Sequence, residues 1–109
     1  MRLSVTKNDI KRGKQEDGEF CPIACALRRE LSLIGDVTDI DVSGRNVKGS
    51  VTIPIKMNGK HLTSVDIDIH AALPKQADKF IELFDEKGRS AVKPTTFSGK
   101  TTVEVMGRY

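Results

Sequence analysis

Two cysteines, two histidines, two aspartate pairs and one basic run carry whatever chemistry this chain can do. Cys21 and Cys25 are spaced Cys-x-x-x-Cys, and Pro22 directly follows the first. Proline is favoured in the first helical turn, so Cys21 is expected at a helix N-terminus, where the dipole and free N–H groups lower a thiol pKa. The redox spacing Cys-x-x-Cys is absent, and a disulfide between helical positions i and i+4 would need strained side chains. Two small, half-apolar residues tucked under a loop are the simpler reading. A structural zinc needs four ligands in two ordinarily spaced pairs, and the remaining donors do not supply one. His61 and His70 lie far along the chain, on opposite faces of one expected strand.

Asp39 with Asp41, and Asp66 with Asp68, stand two apart on expected strands, so each pair projects from a single face. Paired carboxylates bind divalent cations or exchange protons. On the exposed face of a small sheet they more often keep the surface soluble and discourage strand-to-strand aggregation. Gly-x-Ser-x-Gly, the Walker loop and Gly-x-Gly-x-x-Gly are all missing. No enzyme activity and no cofactor are therefore expected. The basic residues Lys7, Lys11, Arg12 and Lys14 could meet phosphates if Arg28 and Arg29 sit beside them. Asp9, Glu16, Asp17 and Glu19 are interleaved, and Phe20, the one nearby aromatic, is claimed by the expected core.

The elements that must position these groups follow from hydrophobic periodicity. Leu3 and Val5 alternate in a short first strand, and Thr6 with Asp9 forms a capping pair for a helix from Lys7 to about Arg12, stopped by Gly13. The main helix starts at Cys21-Pro22. At 100° per residue, Phe20, Ile23, Ala24, Leu27, Leu31 and Ile34 fall on one face, and Gly35 ends it. Thr38 to Val42 alternates as a strand, Ser43 to Asn46 turns, and Val51, Ile53, Ile55 and Met57 line one side of the next strand. Asn58-Gly59 is a type I′ hairpin signal. Thr63, Val65, Ile67 and Ile69 form one face of the return strand, against Ser64, Asp66, Asp68 and His70. Pro54 cannot donate to a ladder, which puts its strand at an edge or its nitrogen outward at a bulge.

Leu73-Pro74 opens a second amphipathic helix to about Glu86, with Leu73, Ala77, Phe80, Ile81 and Phe84 on its core stripe. Residues 89–96 read as a loop, and Thr101 to Met106 as a last strand with Val103 and Val105 buried. The expected architecture is α+β: one domain spanning residues 1–109, an antiparallel sheet of about four to five strands, and two main helices on one face. The opposite face would be open and polar, with Thr52, Lys56, Asp66, Asp68 and His70 as its candidate binding residues.

Composition agrees with a globular chain of 109 residues, 38% apolar and 30% charged. Formal charge is +3, and the excess lies in residues 1–60, which hold 11 Lys and Arg against 8 Asp and Glu. That bias is too mild for a nucleic-acid arm. No apolar leader and no run near the ~18 apolar residues of a membrane span is present, so a cytoplasmic protein is expected.

The run Thr6-Lys-Asn-Asp9-Ile10-Lys-Arg-Gly13, followed by Cys21-Pro-Ile-Ala-Cys-Ala-Leu-Arg-Arg29, resembles a set of small phage and prophage proteins. Those proteins carry a Thr-x-x-Asp-Ile-x-x-Gly element and then a Cys-Pro-Ile-Ala-x-Ala-Leu-[Arg/Lys]-Arg helix. The match covers about residues 5 to 31. It implies a mobile-element origin and an accessory role in a bacterial host, of the kind that binds and blocks a host or host-defence protein. The leading expectation is thus a non-enzymatic protein-binding protein that uses the open sheet face, at Lys56, Asp66, Asp68 and His70, or an edge strand. The alternative is a nucleic-acid-associated accessory protein using Lys7, Lys11, Arg12, Lys14, Arg28 and Arg29.

Overall fold

The computed structural model describes residues 2–108. Strand β1 (Arg2–Val5) leads into helix α1 (Lys7–Arg12), and a loop carries the chain to helix α2 (Pro22–Ser32). Three long strands follow: β2 (Asp36–Ser43), β3 (Asn46–Met57) and β4 (Lys60–Ala72). Helix α3 (Lys75–Lys87), a short 3-10 turn (Arg89–Ala91), β5 (Thr95–Ser98) and β6 (Lys100–Arg108) complete the order.

The architecture is α+β with antiparallel pairing throughout, as the alternation requires. The main sheet runs β2-β3-β4-β6, and β1 pairs with β5 in a separate two-stranded sheet. Neither β5 nor that second sheet was expected. Lys93-Pro94 and the small polar residues around it read as loop, yet Phe97 pairs opposite Leu3 and both are fully buried. The Asn58-Gly59 turn closes the β3–β4 hairpin with φ of 51° and 77°, the left-handed pair that this turn type needs. Pro54 sits on a strand with two neighbours, but β2 ends opposite Thr52. Beyond that point β3 has β4 on one side only, so the proline occupies a local edge.

Residues of the sheet that enter the core (Ile40, Val42, Val47, Val51, Ile69 and Ala71) all belong to one face. Helix α2 lays Ile23, Leu27 and Leu31 against β2, β3 and the small sheet. It comes close because residue 49 is glycine: a Cβ there would stand 2.4 Å from Leu31 Cδ1. Helix α3 contributes Ala77, Phe80 and Phe84, with the Phe80 ring edge-on to Phe97 at 5.7 Å. All of these residues form one continuous cluster.

The helices are too short to cover the sheet they pack on. A strand of 13 residues such as β4 runs about 43 Å at roughly 3.3 Å per residue. A helix of 13 residues such as α3 spans only about 20 Å at roughly 1.5 Å per residue. The molecule is accordingly elongated, 50 × 24 × 20 Å, and one end of the sheet is bare.

Candidate functional surfaces

Thr6 and Asp9 form the expected capping box, and it does more than start α1. Asp9 Oδ2 accepts from the Thr6 backbone N–H at 2.8 Å and the Thr6 hydroxyl at 3.0 Å, while Thr6 Oγ1 accepts from the Asp9 backbone N–H. Arg29 on α2 then donates to the same carboxylate oxygen at 2.8 Å and to the Ser4 carbonyl at 2.8 Å. Asp9 is buried, so a cation brought by another element compensates its charge, and the pair locks α1 against α2.

Cys21 is the N-cap of α2, and its sulfur accepts from the Ala24 N–H at 3.4 Å. The expectation of a lowered pKa is reversed. Cys21 is almost wholly buried, and burial, which disfavours the thiolate, outweighs the N–H groups and pushes the thiol up to about 11. Its backbone is extended, so it stands just before the helix, at the N-terminus where the sequence placed it. Cys25 is half-buried, and desolvation also raises its pKa, with Arg28 and Arg12 acting against that. Both cysteines are free thiols. Among the described residues no three His, Cys, Asp or Glu side chains gather where they could hold a metal ion.

The polar sheet face forms as expected. His70, Asp68 and Asp66 run in a row along β4, opposite Lys48, Ser50 and Thr52 on β3. Ser50 and Thr52 donate to the two carboxylates, each at 2.7 Å. Lys56 lies at the far end of the hairpin, paired with His61. A β-bulge there carries His61 over to the polar face, where its Nε2 lies 3.0 Å from Ser64 Oγ. The histidines therefore share one face, contrary to simple alternation, though they stand at opposite ends of β4. A depression of about 420 Å³ surrounds His70, Lys48, Lys100 and Asp41.

The basic cluster divides. Arg12, Arg28 and Arg29 line a groove of about 860 Å³ between α1 and α2, together with Asn8, Ser32 and Phe20. Lys14 does not line the groove, but its Nζ lies 5.1 Å from the ring centre of Phe20, which does. Lys7 and Lys11 are exposed but do not line the groove. Phe20 is not a core residue as its wheel position suggested. It lies in the loop before Cys21, is 40% exposed, and also carries the Arg28 guanidinium 5.2 Å from its ring centre.

One exposed apolar surface was not foreseen from the sequence. Val103 and Val105, expected to be buried, are 53% and 64% exposed, and among the described residues no helix packs extensively on β6. Register joins them to the hairpin: Val105 stands opposite Ile67, which in turn stands opposite Val51, and Val103 stands opposite Ile69. Val65, Ile67 and Ile53 are half-buried, and Ile55 is exposed. Ile34, expected on the α2 stripe, is also exposed, since the helix stops at Ser32, and Leu33 beside it is 82% exposed. The strand residues Ile55, Val65, Ile67, Val103 and Val105 extend the core face of the sheet into solvent.

Among the described residues the outer edge of β6 has no strand paired to it, whereas the edge of β2 is met at Val42 by the Gly18 carbonyl. The mismatch between strand length and helix length was the signal available in the sequence. The chain matches no known protein family, curated protein or solved structure. Among the described residues no helix is long and apolar enough to cross a membrane.

Proposed function

We propose that this chain is a non-enzymatic accessory protein of phage type that acts in the cytoplasm of a bacterial host by binding, and thereby blocking, another protein. The bare end of the sheet carries this reading. An apolar surface that runs from Ile55 through Val65 and Ile67 to Val103 and Val105 is left open to water beside an unpaired strand edge. Contiguous exposed apolar surface of this kind marks protein interaction sites. A free edge supplies backbone donors and acceptors for an added strand, with alternate side chains for specificity.

The proposed partner therefore presents an extended segment with apolar residues at every second position. It pairs with β6 and sets those residues on Val103 and Val105. This moves the expected contact from the polar face to the opposite one. Lys56, Asp66, Asp68 and His70 remain on the solvated side, where Ser50 and Thr52 already engage the two carboxylates.

Affinity capture from bacterial lysate with matched variants tests the reading, with light scattering to give the mass of the purified chain. Val103→Asp with Val105→Asp is expected to abolish capture of a specific partner. Asp66→Asn with Asp68→Asn is expected to retain it, and the free chain is expected to be monomeric. A dimer dispersed by the valine variant would make the surface a self-interface and contradict the proposal. Capture that survives the valine variant would do the same.

A further inference from the structure

We infer that the groove between α1 and α2 is a binding site for a phosphate-bearing ligand with a flat ring, the chemistry of a nucleotide. Three guanidinium groups converge on it, from Arg12 on α1 and from Arg28 and Arg29 on α2. Planar guanidinium forks match phosphate oxygens two at a time.

Only one of the three is tied up in a close ion pair. Arg29 is held by Asp9 at 2.8 Å, by Thr6 Oγ1 and by the Ser4 carbonyl, which fixes its position while its side chain stays 40% exposed. Arg12 and Arg28 have no carboxylate within ion-pair distance among the described residues. Arg28 makes one long contact of 3.4 Å to the Glu19 carbonyl. Of the nearby acids, Asp9 is engaged by Arg29 and Thr6 and Asp17 by the Glu19 and Phe20 N–H groups, while the exposed Glu16 and Glu19 lie outside the groove lining. Glu30 stands 3.9 Å from Arg29, outside the groove lining. The lining side chains thus leave the groove positive.

Phe20 supplies the second half of the recognition. Its exposed ring, at the groove wall, holds the two cations Lys14 and Arg28 above its π surface. A phosphate arriving in the groove offers either cation a better partner, and the ring face it vacates is open to stack a base. The hydroxyl and amide side chains of Thr6, Ser32 and Asn8 complete the lining. The volume of about 860 Å³ falls within the range of small-ligand sites. The same chemistry could come from a free nucleotide or from one residue of a single strand. Lys7 and Lys11 lie off the groove, so charge is concentrated at one point rather than along a track.

Fluorescence polarisation with a labelled nucleoside triphosphate, competed by unlabelled nucleotide, inorganic phosphate, a nucleoside and a twelve-residue oligonucleotide, tests the site. The nucleotide is expected to bind at least about 10-fold tighter than phosphate or nucleoside alone. Arg12→Glu and Phe20→Ala, both at exposed positions, are each expected to weaken it about 10-fold with an unchanged melting curve. Lys7→Glu with Lys11→Glu is expected to leave it unaltered. An oligonucleotide no tighter than the mononucleotide assigns the groove to a free nucleotide. A gain of about 10-fold for the oligonucleotide assigns the same chemistry to a strand. Absence of saturable binding of every phosphate-bearing probe, or binding insensitive to both Arg12→Glu and Phe20→Ala, would overturn the inference.

Discussion

At Cys21 two opposing effects act on one atom. Backbone N–H groups at the start of α2 stabilise a thiolate, burial opposes it, and burial is the larger. The ordinary thiol pKa of 9.0 rises to about 11 in the folded chain. The folded state therefore holds its proton through a pH range in which the unfolded chain has released it. The stability this confers is fully present below pH 9 and is lost as pH rises from 9 toward 11. Denaturation midpoints measured across that range should fall for the native chain and stay flatter for Cys21→Ser. The serine keeps an N-capping oxygen, so that variant should still fold at neutral pH. Thiol labelling of the native protein at pH 8 should reach half-buried Cys25 well before Cys21. Equal rates would mean that the α2 N-terminus opens readily.

Among the elements, α2 and the strand beneath it define how closely the layers approach. Leu27 and Leu31 rest on Gly49, and Leu27→Ala should cost about 2–5 kcal/mol by leaving a cavity in an aliphatic core. Gly49→Ala introduces a methyl where Leu31 already sits and should cost about 1–3 kcal/mol through overpacking. Chemical denaturation that finds both changes neutral would mean the helix does not lie there.

The helices and the β3–β4 hairpin were legible in the sequence because their periodicities are long and their turn chemistry specific. Short elements were not. The four residues of β5 follow a proline, and their partner β1 is ninety or more positions away, a pairing that local pattern cannot reveal. The ends of α2 misled in the same way: Phe20 and Ile34 continue its apolar wheel, but the residues between Pro22 and Ser32 alone are helical. The groove residues were each visible as charges. What local pattern could not show was that the capping carboxylate Asp9 would recruit Arg29 and draw the two helices into one basic wall.

For the whole molecule, helix length against strand length decides what is left for binding. Alternation marks Ile55, Val65, Ile67, Val103 and Val105 as a core face, and alternation alone cannot say that the core ends before reaching them. A chain that needed only a stable fold would gain nothing from strands twice the length of the helices covering them. The uncovered valines and the free β6 edge are the surplus, and the proposed function has a partner protein occupying them. Hydrogen–deuterium exchange on the chain alone and on its captured complex tests this most directly. Backbone amides of Thr102 to Val105 that face the open edge should exchange rapidly in the free chain and become strongly protected in the complex, while Asp66 to His70 change little. Protection confined to the polar face, with β6 exchanging as fast as before, would contradict the account.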